Sequence, residues 1–271
     1  MKHSPIPMIF DSNRVRSHRT RAAGNFSSHD FLFREMAERL CERLSCIKRK
    51  FPLALDLGAK TGLVAEILQG RGGIETLVQM EQSAPLLAQA KGIKLLASEE
   101  LLPFAENSFD LVISVGALHW VNDLAGSLIQ IQRILKPDGL FLAMLFGGQT
   151  LRELRTSFEQ AEMDNKGGSS PRISPFIDVQ AGGQLLQRAG FTLPVIDSEI
   201  LGVEYTHPLK LMRELRGMGE TNSLHDSLKT FTSCSLLMTA VDNYLRDFSN
   251  EDGRINASFE LVTLTGWKPE K

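Results

Sequence analysis

The residues spaced for chemistry gather around one turn. A short apolar run, Leu53-Ala-Leu-Asp-Leu57, carries Asp56 and ends on Gly58; Ala59, Lys60 and Thr61 follow, Gly62 closes the turn, and an apolar-periodic stretch begins. A strand, a glycine turn and a helix in that order form a cradle whose backbone approaches a ligand closely, since glycine carries no Cβ to hold it off. Glu81 ends the next apolar run, where a carboxylate accepts hydrogen bonds from both hydroxyls of a ribose. The loop Ser98-Glu99-Glu100 follows the third run and is placed to border a base. Turn, acidic strand end and loop together point to a nucleoside site. No Gly-x-x-x-x-Gly-Lys-Ser/Thr loop is present, which argues against a nucleoside triphosphate. The turn is also shorter than the dinucleotide fingerprint and suits a ligand without a pyrophosphate. Lys60 stands where the central glycine of such a turn falls.

The elements that must position these residues are read from periodicity. Strands are expected over 53–58, 75–81, 93–97, 109–115, 140–146, about 195–205 and about 257–266. Helices are expected over 28–47, from Gly62 to about 69, then over 84–91, 123–135, 150–163, 179–189, 208–217 and 224–247. Lys136-Pro-Asp-Gly139 reads as a stop and turn, and 164–175 as a Gly, Ser and Pro-rich loop. Alternating strands and helices imply parallel strands joined by right-handed crossovers. The domain reading is an arm and helix over 1–50, then one domain over 51–271 with a helical insertion at about 207–252.

Bulk properties narrow the classes. The chain has 271 residues, 42% of them apolar, and a net charge of −2. That suffices for a full core, and no basic stripe marks a nucleic-acid partner. Only the arm is locally basic, through Arg14, Arg16, His18, Arg19 and Arg21. A transit peptide and a folded basic helix share this look; the folded helix is preferred because the next segment follows without a linker. Cys41, Cys46 and Cys234 lack metal-ligand spacing. No metal site is expected, and the thiols read as reduced. No run reaches the length of a membrane span, so no integral membrane segment is expected.

Four motifs in order resemble the class I S-adenosylmethionine-dependent methyltransferases: Asp56-Leu-Gly-Ala-Lys-Thr-Gly62, Glu81, Leu102-Pro-Phe-Ala-Glu-Asn-Ser-Phe-Asp-Leu-Val112 and Leu135-Lys-Pro-Asp-Gly139. A narrower resemblance spans nearly the whole chain. It is to the mitochondrial complex I assembly factor 5 group and its alphaproteobacterial relatives. Phe10-Asp11, Leu118-His-Trp-Val-Asn-Asp123, Phe146-Gly-Gly-Gln-Thr-Leu151, Ser170-Pro-Arg-Ile-Ser-Pro-Phe176, Arg188-Ala-Gly-Phe191, Met218-Gly-Glu-Thr-Asn222 and Gly266-Trp267 carry it. The malonyl-carrier-protein methyltransferases are more distant.

The resemblance implies an α/β, Rossmann-like, seven-stranded methyltransferase fold. Its sheet is parallel with a final antiparallel strand, and helices lie at the N-terminus and before the last strand. The implied cofactor is S-adenosylmethionine, held by Asp56, Gly58, Ala59, Lys60, Gly62, Glu81, Gln82, Ser98, Glu99 and Ser114. The family pattern has glycine at Lys60 and aspartate at Ser98. Lys60 either strains the turn and fills the methionine pocket, or pairs with the cofactor carboxylate. Ser98 removes an acceptor for the adenine amino group. The implied function is methyl transfer to an unspecified acceptor. The alternatives are an assembly factor hydroxylating an arginine of a complex I subunit, or a non-catalytic scaffold of the same fold. The partner is then a protein substrate or complex I subunit. The expected location is the bacterial cytoplasm, with peripheral placement at the inner membrane as the alternative.

Two residues are candidates for the chemistry. His119, just past the fourth strand, serves as a base if neutral, or bonds a nearby loop while Trp120 packs as a lid. Glu220 lies with Arg172, Ser174 and Asn222 in the acceptor-side set, where a carboxylate suits a substrate arginine. The plainer reading is that Glu220-Thr-Asn222 bridges two helices as a polar turn.

Overall fold

The computed structural model describes residues 8–166, 168, 170–227 and 231–270. Its elements run α1 (Ser12–Ala22), α2 (Phe31–Ser45), β1 (Leu53–Leu57), α3 (Leu63–Leu68), β2 (Thr76–Glu81), α4 (Ala84–Leu87), β3 (Ile93–Leu96), β4 (Phe109–Val115), α5 (Leu124–Ile134), β5 (Leu135–Phe146), α6 (Arg152–Lys166), α7 (Val179–Arg188), β6 (Thr192–Tyr205), α8 (Pro208–Met218), α9 (Cys234–Phe248) and β7 (Ile255–Trp267).

One seven-stranded sheet has the order β3-β2-β1-β4-β5-β7-β6. Neighbours from β3 through β5 pair in parallel, and β7 is antiparallel to both β5 and β6. The order reverses between β1 and β4. The crevice outside their carboxyl ends is where open α/β sheets bind ligands.

Strand periodicity divides the core between two faces. Leu111, Ile113 and Val115 of β4, with Leu140, Leu142 and Met144 of β5, pack beside α2, α3, α6, α8 and α9. Val112, Phe141, Ala143 and Leu145 point the other way, onto α5 and α7. Because β4 is buried on both faces, it reads as an unbroken apolar run.

The basic arm folds as α1. Asp11 caps it, accepting from Asn13 N and Arg14 N. Its front end is tied down by a bridge from Phe10 to Leu224 and by Asp11 N donating to Ser223 O at 2.8 Å.

Several boundaries differ from the sequence reading. The helix expected over 224–247 starts at Cys234, capped by Ser233. Leu224 is committed to the bridge with Phe10, so the chain before the cap is not helical there. Residues 228–230 of that expectation, 167 and 169 of the expected loop, and 1–7 of the arm lie outside the described residues. Lys136-Pro-Asp-Gly139 does not end a helix in a free turn. It opens β5, because Asp138 N donates to Lys268 O and Lys268 N to Gly139 O, extending the sheet edge. The helix expected over 84–91 is only the single turn of α4. Among the described residues no helix is long and apolar enough to cross a membrane.

Candidate functional site

Two spaces lie at the crevice end of the sheet, with Trp120 lining both. The first lies on the base side of the glycine-turn cleft, against Ser98, Glu99 and Ala117. Gly58 (φ 78°) and Gly62 (φ 85°) are left-handed, as their type allows. The amides of Gly58 and Ala59 both donate to Met80 O, at 2.8 and 2.9 Å, so the turn is stitched to the end of β2. A Cβ on Gly58 would stand 2.2 Å from the Cβ of Ala117. The turn therefore lies directly against the chain after β4.

Lys60 is also left-handed, at φ 52°. That conformation costs a non-glycine residue roughly 1–2 kcal/mol. Its ammonium is buried and donates to Val115 O at 2.7 Å and Gly116 O at 2.8 Å. It also sits 4.2 Å over the ring of Phe33. Burial pushes its pKa down to about 8, and Arg19 adds to the effect. Asp56 lies beneath, on the α2 side of the sheet, with neither carboxyl oxygen hydrogen-bonded. Burial pushes its pKa up to about 7, against the pull of Lys60.

Glu81 is fully buried. One oxygen accepts from Gln82 N and Ser83 N at 3.0 Å each, the other from Lys60 N at 3.2 Å. Arg19 of α1 reaches the same carboxylate. Its Nη1 donates to both Glu81 oxygens at 3.1 and 3.4 Å and to Glu99 Oε1 at 2.5 Å. Burial opposes the Arg19 charge, but the Glu81 and Glu99 carboxylates outweigh it and raise the pKa above the ordinary arginine value. Ser98 Oγ accepts from Glu100 N at 3.2 Å. The space beside it, between Ser12, Val15, Gln82, Glu99 and Trp120, is ≈ 10 Å³. That holds about one water. Ser114 stands apart from this group, its hydroxyl donating to Leu57 O at 2.7 Å.

In this arrangement the chain's own side chains occupy the cleft in which S-adenosylmethionine, implied by the sequence resemblance, would be held. Arg19 engages the ribose-type carboxylate, Lys60 fills the turn, and α1 closes the base side. No step through that group follows from these residues as they stand.

The second space is an apolar pocket of ≈ 250 Å³. Trp120, Phe146, Phe158, Phe176 and Phe259 wall it, Glu220 lies at one side, and Arg172 is also in its lining. Gly219 ends α8 in a left-handed cap (φ 81°), and the next residue, Glu220, enters the pocket wall. Glu220 Oε2 accepts from His119 at 3.0 Å and from Trp120 Nε1 at 2.8 Å. Burial opposes its charge, yet His119, Lys60 and Arg19 hold its pKa below the usual carboxylate value. Burial lowers the pKa of His119 against the pull of Glu220. His119 Nε2 and Glu220 Oε2 share one hydrogen bond, and His119 Nδ1 is buried without a partner. His119 packs against Phe146, Trp120 and Phe176 at ring distances of 4.8, 5.3 and 5.9 Å. The imidazole bonds a residue of a neighbouring loop, and Trp120 forms a wall of the pocket. Arg172 is held by Glu162 at 2.6 and 2.9 Å and lies over Phe158. Asn222 ties the turn to Pro171 O at 3.3 Å.

Sequence reasoning singled out Gly58, Lys60, Glu81, Glu99, His119 and Glu220, and the fold brings them to this one edge. It missed Arg19 and Phe33. Arg19 did carry a signal: in α1 it shares a face with Val15 and Ala22, the other buried residues. Arg14, Arg16 and Arg21 point elsewhere and are not buried.

Strand order, switch-point crevice and glycine turn define a methyltransferase-fold α/β protein. Residues 55–143 match the methyltransferase domain family. The mitochondrial arginine-hydroxylase NDUFAF5 of Homo sapiens is 40% identical over 267 residues, covering 96% of this chain and 77% of that protein. A malonyl-[acyl-carrier protein] O-methyltransferase of Methylovorus sp. is 32% identical over 276 residues, covering 97% and 90%. The YcgJ protein of a Bacillus has the same fold, with a TM-score of 0.59 at 14% identity over 86% of this chain and 98% of that one. The chain belongs to the methyltransferase-fold family that contains the NDUFAF5 arginine-hydroxylases.

Proposed function

We propose that the protein binds and modifies an arginine side chain of a protein partner in the Glu220 pocket, as an assembly factor acting on a complex I subunit. One observation carries this reading. A buried carboxylate, Glu220, stands in an aromatic-walled pocket and accepts from His119 Nε2 and Trp120 Nε1, with no lysine or arginine in ion-pair contact among the described residues. A guanidinium supplies the missing counter-charge, and its aliphatic stem and planar head suit apolar and aromatic walls. Relatives at 38–40% identity bear the name arginine-hydroxylase, which supports the same side chain.

The adjoining cleft belongs to a nucleoside of the S-adenosylmethionine type, with affinity altered by Lys60 and Ser98. Turn and Glu81 would hold the ribose end. Bound there, such a cofactor supplies an electrophilic methyl group. Lys60 would repel the ammonium of its amino-acid end, and Ser98 would offer one acceptor fewer to the base, a loss of about 1 kcal/mol.

The test is the mass of arginine-bearing peptides of the partner subunit in cells with and without the gene. A gain of one oxygen, lost on deletion and on Glu220→Gln, is the expected result. A gain of one methyl group at that arginine selects methyl transfer instead. An unmodified subunit in the parent cell overturns the reading.

A further inference from the structure

The Arg19 contact is unusual for a buried ion pair. Only one of its three guanidinium nitrogens is used: Nη1 serves both Glu81 and Glu99, while Nε and Nη2 are buried without partners. A structural arginine gains most when its whole fork is engaged. Glu81, by contrast, is positioned by three backbone amides that owe nothing to Arg19: those of Lys60, Gln82 and Ser83. The carboxylate is built to present its remaining lone pairs to the cleft. What it meets there is a side chain delivered from another element.

The delivering element spans the cleft. The chain before α1 is fixed by the bridge from Phe10 to Leu224 and by Asn122 Oδ1, which accepts from Phe10 N at 2.8 Å. The chain after it is fixed by Phe26, buried in the main core. Between these anchors α1 buries only Val15, Arg19 and Ala22 of its eleven residues. Four polar contacts add to them: Arg14 to Ser227 at 2.6 Å, His18 to Ser223 at 3.1 Å, Thr20 to Ser83 at 3.2 Å and Arg21 to Thr221 at 3.4 Å. A segment with so few buried apolar contacts opens at a fraction of the global unfolding free energy. Ser12, Val15 and Arg19 follow one face of the helix, and along that face lie the base-side space and the ribose-type carboxylate.

Resting on the nucleoside reading above, we propose that Arg19 is a resident occupant of the nucleoside clamp, and α1 a strap that must lift before a ligand enters. Arg19 and a ribose compete for the same two oxygens of Glu81. A cis-diol replaces the lost N–H donors with two O–H donors. The ligands that compete are therefore nucleosides with an intact diol and no phosphate, because a phosphate would face Glu81 and Glu99 together. Strap docking and nucleoside binding exclude one another. The equilibrium between them sets the apparent affinity, since only the open fraction binds.

The test is calorimetric titration of the full chain with S-adenosylhomocysteine, 5′-methylthioadenosine and the 2′-deoxy form of the latter. Arg19→Gln should tighten all three at least tenfold, since it raises the open fraction for every ligand, with the 2′-deoxy compound the weaker of its pair in both forms. A second variant pins the strap with Thr20→Cys and Ser83→Cys, in a chain carrying Cys46→Ser and Cys234→Ser. Oxidised, it should lose nucleoside binding; reduced, it should recover it. This pair decides the matter if Arg19→Gln does not fold. If the parent chain binds nucleosides and neither change alters the affinity, the strap is overturned while the nucleoside reading stands. If no form binds any nucleoside, both fall.

Discussion

The two spaces at the sheet edge share Trp120 and little else. In the cleft, the chain's own cations hold the acceptors that face inward: Arg19 on Glu81 and Glu99, Lys60 on the carbonyls of Val115 and Gly116. The space on its base side is ≈ 10 Å³. In the pocket, Glu220 accepts from His119 and Trp120, and ≈ 250 Å³ stays open beside it. A buried charge needs a partner. The cleft has its partner already, so a ligand there must displace something. Glu220 has no lysine or arginine in ion-pair contact among the described residues, so a cationic ligand adds a direct partner. A shared fold edge thus carries one site closed from within and one site waiting for charge.

The largest effect should come from breaking the closed side. Arg19→Gln leaves Glu81 and Glu99 buried and close together without their cation. Removing one partner of a buried pair costs about 3–5 kcal/mol. Urea unfolding of the ligand-free chain should show a loss of that size, partly restored by a saturating nucleoside. A loss below about 1 kcal/mol would mean that the clamp adds little to the folded state, and the contrast with the pocket would collapse.

Next in size is the pH dependence that Asp56 brings to the closed side. Its pKa rises from its ordinary 3.8 to about 7, chiefly by burial. The folded state then holds its proton more tightly than the unfolded chain. The resulting stability is fully present below about pH 3.8 and is lost as pH rises through about 7. An upper bound for the loss is a few kcal/mol. Asp56→Asn should flatten the stability profile in that window. A profile that falls as steeply in the variant would assign the slope to other groups.

The sequence made the scaffold legible because its signals are local. An apolar run with a glycine turn, alternation along β5 and a continuous β4 each follow from neighbours in the chain. Glu81 was legible too, since a strand end fixes where its carboxylate points. The lost details are those settled by distant partners. Leu224 turns into a bridge because Phe10 lies opposite, so the helix expected from 224 waits for Cys234. Arg19 was one of five basic residues in an arm. Only the packing of α1 across the cleft separates it from Arg16 or Arg21. Lys60 was recognised as out of place in the turn, but its carbonyl partners come from the far end of β4.

The open side is sharpened by Glu220→Gln. The amide oxygen still accepts from His119 and Trp120, so stability should change by only about 1 kcal/mol. The counter-charge disappears. Binding of an arginine-containing peptide from the partner subunit, followed by fluorescence anisotropy, should weaken at least tenfold, on the order of 1.5–3 kcal/mol for a hydrogen bond to a charged group. Equal affinity in the variant would place the guanidinium elsewhere.

The smallest change asks which of the two cations closes the cleft to which ligand. Lys60→Gly removes a left-handed strain of roughly 1–2 kcal/mol together with a buried ammonium whose pKa burial has lowered to about 8. It also frees the carbonyls of Val115 and Gly116, which the ammonium now satisfies. The gain and the loss are of similar size, so net stability should move by about 1 kcal/mol or less. The ligand series is the more telling readout. An ammonium at these carbonyls competes with the amino-acid end of S-adenosylmethionine and not with its ribose. Lys60→Gly should therefore tighten S-adenosylmethionine and S-adenosylhomocysteine while leaving 5′-methylthioadenosine unchanged, whereas Arg19→Gln tightens all three. If both substitutions move all three ligands alike, the two cations act through one opening of the strap, and the division of the cleft into a ribose end and an amino-acid end is lost.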